Sequence, residues 1–298
     1  MTLVPRVVVV HRRTELDGLL DRHGTRGQAE FFLRTRGRTL ADVQARHDAQ
    51  QDALQSVHAA IPADWRRGDV ERGDLYRFGF EPGDVCVVVG QDGLVANTAK
   101  YLDAQPVIGI DTEPGRNPGV LVTHRAGDTS ALLRAVVDGA AEIQPRAMVR
   151  ATLDDGEHLD ALNEVFVGHS SHQSARYRIV VPGAGEPERQ SSSGLIAATG
   201  TGSTGWAASI QRERARAARL PAPTDRRLAW FVREAWPSPS TGTRLTCGDL
   251  GARDVLSLVV ESDALVVFGD GLEVDRLTAT WGQTIAVALS TRTLQLVS

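Results

Sequence analysis

The chain has 298 residues, enough to bury a sizeable core, and two domains are the usual arrangement at this length. Its composition is typical of a globular protein, with 42% hydrophobic residues, 23% charged residues and a net charge of -4. Acidic and basic residues are mixed along the chain, which disfavours a nucleic-acid binder with a basic face or tail. Cys86 and Cys247 cannot by themselves form a disulfide framework or a zinc cluster, and their apolar neighbours predict buried free thiols.

The N-terminal segment "MTLVPRVVVVHRR" has an apolar run that is too short to span a membrane. This segment is predicted to begin the first strand. We therefore expect a reducing, cytoplasmic compartment and no membrane partner. Lys100, in "NTAKYL", is the only lysine among the 33 Lys and Arg residues. A P-loop needs a lysine followed by Ser or Thr to reach the outer phosphates, so that kind of nucleotide site is excluded.

The first half of the chain alternates buried strands with helices. Val7–Val10 is a continuous β-branched run, typical of a parallel strand buried on both faces. Polar helices are predicted in "AEFFLRTRG" and "LADVQARHDAQQDALQSV", then strands at Val85–Val89 and Pro106–Asp111 and an amphipathic helix in "DTSALLRAVVDGA". This alternation predicts an α/β domain with an open, mainly parallel sheet over residues 1–143.

The pattern changes near Gln144, where short strands separated by Gly, Pro and polar turns begin. Examples are "RAMVRATLD", "ARYRIVVPG" and "TIAVALSTRTLQLV", and one helical stretch, about residues 205–220, interrupts them. A β-rich domain is therefore predicted for residues 144–298, with its last strands as candidates to return to the first domain. No long linker is present, so we expect the two domains to pack together, and pockets favour such junctions.

The first stretch that can carry chemistry is "CVVVGQDGL", a buried strand that runs into a glycine-rich loop. Ligands of open α/β sheets bind beyond the carboxyl ends of strands. Gly90 and Gly93 can take positive φ and bring backbone N–H groups close to a phosphate, while Asp92 can orient or deprotonate a hydroxyl. An ordinary strand–turn–helix loop in which Asp92 caps the helix fits this segment equally well.

The second stretch is "DALNEVFV", in which Asn163 and Glu164 interrupt an otherwise apolar strand. Neighbouring strand residues point to opposite faces, so one of the pair is expected on the buried side, where a polar group needs a partner such as a ligand. Taken alone, a plain edge-strand pair is slightly favoured.

The third stretch is "TGTGSTGW", Thr199–Trp206, just before a predicted helix that starts near Ala207. Backbone N–H groups at a helix start, with hydroxyl donors beside them, suit an anionic or sugar ligand, and a flexible Gly/Ser/Thr connector is the alternative. His169 and His172 lie in a polar turn without a third ligand nearby, so a metal site there is disfavoured.

In this order the three stretches resemble the motifs of the NAD kinase family: a Gly-Gly-Asp-Gly loop, an Asn-Glu pair and a Thr-x-Thr-Gly-Ser-Thr segment. The resemblance covers most of the chain and is closest to the mitochondrial-type branch, through "QPVIGIDTEPGRNPGVL", "ALNEVFVG", "SSSGLIAATGTGSTGW" and "FGDGLE". The chain is similar to a bacterial homologue of that branch. Most members of the family have Asp-Gly where Ser193-Gly194 stands here.

The resemblance implies a fold like that of NAD kinase and diacylglycerol kinase, and transfer of a phosphoryl group from ATP or polyphosphate, with Mg²⁺, to the adenosine ribose 2′-hydroxyl of NAD. It implies a homo-oligomer, most simply a dimer. Asp92 would be catalytic, and Gly90, Gln91 and Gly93 would hold the donor phosphates without a metal ion bound directly by the protein. The residues implied for NAD binding are Asn163, Glu164, Ser193, Thr199, Thr201, Gly202, Ser203 and Thr204.

Two positions depart from the family loop, which has glycine where Gln91 stands and threonine where Leu94 stands. If that glycine needs positive φ, glutamine would cost on the order of 1 kcal/mol or more, and its side chain would fill space for a donor phosphate. The alternative function is therefore a weakly active or inactive NAD(P)-binding sensor of the same fold. A lipid or sugar kinase of the wider superfamily is a third, less favoured alternative.

Overall fold

The computed structural model describes residues 4–116, 119–214 and 219–298. The chain divides into two compact units, one of Met1–Gln144 with Gln295–Ser298 and the other of Pro145–Leu294. Within the described ranges, no helix is both long and apolar enough to cross a membrane.

The first unit is an α/β domain with a parallel sheet. Its strands are β1 (Arg6–His11), β2 (Arg66–Glu71), β3 (Asp84–Gly90) and β4 (Pro106–Asp111), and its helices are α1 (Glu15–His23), α2 (Arg26–Arg34), α3 (Leu40–Ala60), α4 (Asp92–Ala99) and α5 (Thr129–Val137). The strand order is β2-β1-β3-β4, and every pair is parallel. Gln295 and Leu296, near the chain end, pair in parallel with β4.

The apolar runs of the sequence are the central strands of this sheet. Val7 to Val10 and Val87 to Val89 are completely buried, as expected for strands covered on both faces. The sequence did not predict β2, because "RRGDVE" is polar and only Val70 in it is buried. A strand at the edge of the sheet needs little apolar sequence.

Three threonines determine where the first helices begin. Thr14, Thr25 and Thr39 are the N-cap residues of α1, α2 and α3, and each hydroxyl accepts a hydrogen bond from the backbone N–H three residues later. Such caps satisfy donors that have no partner inside the helix. Leu16, Leu33 and other residues of these helices form a small apolar core of their own.

The second unit is β-rich. Its strands are β5 (Ile143–Leu153), β6 (His158–Ala161), β7 (Glu164–Gly168), β8 (Ala175–Val180), β9 (Glu188–Ser192), β10 (Leu195–Ala198), β11 (Leu228–Val232), β12 (Cys247–Leu250), β13 (Val255–Val260), β14 (Ala264–Gly269), β15 (Leu272–Thr280) and β16 (Thr284–Val297). One antiparallel sheet has the order β12-β11-β10-β7-β14-β15, and β16, β13, β8 and β9 pair in that order in another. Their apolar side chains share one core that contains Trp230, Tyr177 and Leu195.

This architecture confirms the predicted fold class, an α/β domain followed by a β-rich one. The predicted helix over residues 205–220 is shorter, α6 (Trp206–Arg212), and residues 215–218 lie outside the described ranges. Of the two cysteines, both free, Cys86 is buried as predicted and burial raises its pKa, whereas Cys247 is only half-buried.

Candidate functional site

In the first unit, strand β3 runs directly into helix α4 through Gln91. The backbone of Gln91 is extended, with φ -132° and ψ 163°, so the glutamine causes no strain there. The concern that this position needs positive φ is therefore wrong. The expectation that Gly93 takes positive φ is also wrong, because Gly93 lies in the first turn of α4, whereas Gly90 has φ 158°.

The Asp92 carboxylate holds a neighbouring loop instead of capping helix α4. Its Oδ2 accepts a hydrogen bond from the Val120 N–H at 2.8 Å, and its Oδ1 accepts from the N–H groups of Leu121 and Val122, each at 3.0 Å. A Cβ at Gly119 would lie 2.4 Å from Asp92 Oδ1, so only glycine allows this close approach. In the described chain Asp92 has no salt bridge, and Oδ2 keeps room for one more donor.

Asp92 lines a cavity of about 250 Å³ at the carboxyl ends of β3 and β4, together with Gln91, Gly93, Asp111, Thr112, Glu113, Gly119 and Val122. This is the edge of an open α/β sheet at which ligands bind. A Cβ built on Gly93 would meet no atom within 4 Å, so the helix start is open. The cavity can therefore admit a polar group to the Asp92 carboxylate.

The acidic lining of this cavity does not form a metal cage. The Asp111 carboxylate accepts from the Glu113 N–H at 2.8 Å, and Glu113 pairs with Arg116 at 3.2 Å. Among the described residues, no group of three or more His, Cys, Asp and Glu side chains could hold a metal ion. Because Mg²⁺ usually keeps several waters and binds through substrate phosphates, the lining suits a cation that arrives with a ligand.

In the second unit, Asn163 and Glu164 are at the start of β7. Asn163 lies in the bend before the strand and Glu164 is its first residue, so the pair does not interrupt a strand as predicted. β7 is an interior strand between β10 and β14, which also rules out the edge-strand alternative. Both side chains are half-buried, and neither makes a hydrogen bond within the described residues.

Asp270, in the turn between β14 and β15, fixes the backbone of this segment. Its carboxylate accepts from the N–H groups of Leu162, at 2.9 Å, and Asn163, at 2.7 Å, and its own N–H donates to the Glu164 carbonyl at 3.1 Å. Burial, with the Asp270 charge as a smaller cause, raises the pKa of Glu164 to about 7. The Glu164 carboxyl group therefore changes its protonation near neutral pH.

The Thr199 hydroxyl joins the threonine-rich turn to the same segment. Its Oγ1 donates to the Leu162 carbonyl at 2.5 Å and accepts from the N–H groups of Thr201, at 3.1 Å, and Gly202, at 3.3 Å. The Thr199 N–H donates to the Asn163 carbonyl at 2.8 Å. Thr199 therefore stabilises the contact between the turn and the 162–163 backbone, and its hydroxyl is not free for a ligand.

The other hydroxyl groups of the turn differ in whether they already make a hydrogen bond within it. Ser203 Oγ donates to the Thr199 carbonyl at 2.9 Å and Thr204 Oγ1 to the Thr201 carbonyl at 3.3 Å. Thr201 is only 3% exposed, yet its Oγ1 has no hydrogen-bond partner among the described residues. A buried hydroxyl without a partner is costly, so Thr201 is the member of the turn that most clearly points to a ligand.

Glycine at position 202 is required by packing. An added Cβ there would lie 2.2 Å from the Asn163 carbonyl oxygen, and one at Gly200 would lie 1.7 Å from the Ala222 carbonyl oxygen. Since real Cβ atoms do not approach backbone this closely, glycine lets the turn lie directly on Asn163. The structure thus brings Asn163, Glu164 and the 199–204 turn together.

Ser193 does not join them. It is exposed and lies in the turn between β9 and β10, whereas Thr199 follows the other end of β10. Six residues of extended chain correspond to about 20 Å. The implied role of Ser193 in binding alongside the threonine turn stays a prediction without geometric support.

Sequence reasoning missed Asp270 as a site residue, although "FGDGLE" was part of the resemblance. The available signal was an Asp-Gly turn between two apolar strands, and Asp270 indeed has φ 54°, which aspartate tolerates better than most residues. What the sequence could not show is that this turn lies against Asn163 and Glu164.

Two further cavities contain none of the predicted site residues. An open groove of about 540 Å³ lies against α1 and α2, with Arg22, His23 and Phe31 among its lining residues. Another cavity, of about 430 Å³, is lined by residues that include His169 and His172. Neither contains a carboxylate next to a strand–helix turn, which is the feature that distinguishes the cavity at Asp92.

No family model matches the chain, but individual proteins do. The chain is 37% identical over 133 residues to an NAD kinase of Burkholderia lata. This alignment covers 42% of this chain and 43% of that relative. The chain is also 32% identical over 179 residues to mitochondrial NAD kinase 2 of Rattus norvegicus. That alignment covers 45% of this chain and 42% of the relative. The matched part thus spans less than half the length of these curated relatives.

The crystal structure of yeast NADH kinase complexed with NADH superposes over the whole chain and over 84% of the yeast chain, with a TM-score of 0.63 at 14% sequence identity. At that identity the likeness shows the fold. The fold is therefore that of yeast NADH kinase, and in the matched parts the chain is similar to bacterial and mitochondrial NAD kinases.

Proposed function

We propose that the protein is an NAD kinase, which transfers a phosphoryl group from ATP or polyphosphate to the adenosine ribose 2′-hydroxyl of NAD and releases NADP. The observation that carries the proposal is the position of Asp92, which lines a cavity at the carboxyl end of β3 with acceptor capacity left on Oδ2. The proposed reaction is chosen because the chain is similar to NAD kinases.

Asp92 acts on the acceptor hydroxyl. The three backbone N–H bonds hold its carboxylate in one orientation, so a hydroxyl that donates to Oδ2 is directed before it reacts. The hydroxyl oxygen forms the new bond to phosphorus, its proton passes to the carboxylate, and the bond from phosphorus to the leaving phosphate oxygen breaks. Such a transfer needs mainly positioning and charge stabilisation.

The second unit supplies groups for binding NAD. The side chains of Asn163 and Glu164 make no hydrogen bond within the described residues and suit the hydroxyl groups of a ribose. The Thr201 hydroxyl, which is buried and has no hydrogen-bond partner in the part of the chain that the structure describes, suits a polar atom of the adenosine. Asp270 and Thr199 hold these groups in place through the Leu162–Asn163 backbone.

Magnesium accompanies the donor in this proposal. Asp111 and Glu113 line the cavity, and the acidic lining suits a hydrated cation carried by phosphates. The chemistry that the ion supplies is neutralisation of the charge on the phosphate oxygens. We also propose a homodimer, which the resemblance implies and which light scattering on the purified protein tests. A cytoplasmic location is proposed from the sequence of the N-terminal segment.

The proposal is tested by incubating the purified protein with NAD, Mg²⁺ and either ATP or polyphosphate, and measuring NADP. We expect NADP with at least one donor, and folded protein that forms none with any donor would refute the proposal. The sensor alternative predicts NAD binding without turnover. One of its motives, backbone strain at Gln91, is absent, since that residue is extended.

A further inference from the structure

Arg12 lies at the ligand-binding edge of the first unit's sheet. It directly follows β1, whose carboxyl end is paired in parallel with that of β3. Its Nη2 donates to Gln91 Oε1 at 3.0 Å, and its backbone carbonyl accepts from Gln50 Nε2 at 2.5 Å. Arg12 is therefore held in place by Gln91, the residue that stands where the resembled family has glycine.

Among the residues that the structure describes, the Arg12 guanidinium has no anionic partner. Within the described residues its side chain makes one hydrogen bond, to the neutral Gln91 amide, although the residue is partly buried. A guanidinium has five N–H donors, and partial removal of such a cation from water is costly unless an anion accepts from it. Most of its donors are thus left for a ligand that carries negative charge.

The two glutamates that line the small cavity beside Arg12 already have cationic partners. A small cavity of about 100 Å³ next to Arg12 is lined by two glutamates, Glu15 and Glu113. Glu15 accepts from Arg38 at 2.5 and 2.8 Å, and Glu113 pairs with Arg116 at 3.2 Å. The positive charge of Arg12 therefore remains available in this part of the unit.

Gln91 lies between this small cavity and the larger one at Asp92. Both cavities are lined by Gln91, Thr112 and Glu113, so an anion in the larger cavity comes next to the Gln91 side chain and the arginine bound to it. We propose that Gln91 positions Arg12 as the cationic ligand of the donor's phosphate chain, a contact that a glycine in its place would leave unsupported. Arginine binds phosphate through two parallel N–H donors.

This inference rests on the proposed function of the first unit, and binding assays without NAD separate the two. Full-length protein is titrated calorimetrically with MgATP and, separately, with inorganic tripolyphosphate plus Mg²⁺. Wild-type protein should bind both, and Arg12→Ala should raise each dissociation constant about 10- to 100-fold, as expected for loss of a charged hydrogen bond. NAD affinity should not change.

Arg13→Ala is the matched control, because Arg13 is the adjacent arginine, is exposed and pairs with Asp21 at 2.6 Å. Its dissociation constants should equal those of wild type. Arg12→Lys keeps the charge and loses the paired donors, so its loss of affinity should be smaller than that of Arg12→Ala. Arg12→Lys also serves as the test if Arg12→Ala fails to fold.

Substitutions at Gln91 decide whether this side chain supports or obstructs the donor. Gln91→Glu keeps the size but places a carboxylate against Arg12, so donor affinity should fall as in Arg12→Ala. Gln91→Gly should also weaken donor binding. Tighter binding by Gln91→Gly, unchanged binding by Arg12→Ala, or no binding of either polyanion by wild type would each overturn the inference.

The outcomes for the two proposals are distinct. Arg12-dependent binding of MgATP by a protein that forms no NADP would support the phosphate contact and refute the kinase. NADP formation with a donor KM that is the same in wild type and Arg12→Ala would support the kinase and refute the phosphate contact.

Discussion

Glu164→Gln should stabilise the ligand-free protein at alkaline pH and leave its stability unchanged at acidic pH. Burial and the neighbouring Asp270 raise the pKa of Glu164 to about 7, from the 4.5 of an exposed glutamate. The folded state therefore keeps a proton that the unfolded chain releases. Glutamine has the size of the protonated glutamate and never ionises, so the variant removes this pH dependence.

The sign and size follow from proton linkage. Below pH 4.5 the carboxyl group is protonated in both states and contributes no difference. Between pH 4.5 and about 7 the folded state binds more protons than the unfolded state, so the free energy of unfolding falls as pH rises. The total loss is about 3 kcal/mol, and it is complete above the folded pKa.

The assay is urea unfolding at pH 4.5 and 8.5, followed by tryptophan fluorescence. Four of the five tryptophans, Trp206, Trp230, Trp236 and Trp281, lie in the same unit as Glu164, so the signal reports mainly on that unit. Glu157→Gln, at an exposed glutamate in the same unit, controls for the general loss of one negative charge. Free energies of unfolding that differ between Glu164→Gln and wild type by the same amount at both pH values would refute the reasoning.

Four further substitutions test the contacts of the candidate site. Asp92→Asn should abolish NADP formation. It should also lower the free energy of unfolding by about 1–3 kcal/mol, because the amide nitrogen cannot accept hydrogen bonds from the loop N–H groups. Unchanged stability in chemical unfolding would contradict those bonds. Thr201→Val should raise stability by about 1 kcal/mol and weaken NAD binding in calorimetry, since it removes a buried hydroxyl that has no partner among the described residues. Ser203→Ala should have the opposite effect on stability, because that hydroxyl donates to Thr199. Gly202→Ala should cost about 1–3 kcal/mol through contact with the Asn163 carbonyl, measured as a lower thermal midpoint, whereas Gly127→Ala, where the added methyl meets no atom within 4 Å, should be neutral.

The sequence predicted the fold class and the order of the motifs well, because both depend on local patterns. Continuous apolar runs, such as Val7–Val10, mark buried parallel strands. Polar β2 was missed, since an edge strand is defined by its neighbour and not by its own composition. The role of each site residue stays a prediction.

Local pattern, then, determined on its own that this protein pairs an α/β domain with a β-rich one and has an aspartate at the end of a buried strand. Only the tertiary structure decided which groups already have hydrogen-bond partners. The Asp92 carboxylate accepts from the 120–122 backbone and the Thr199 hydroxyl donates to Leu162, while within the described residues the Arg12 guanidinium donates to Gln91 alone. The physical reason is that hydrogen bonds and burial join residues far apart in the chain, such as Leu162 and Asp270 at 108 positions, and sequence spacing carries no record of these contacts.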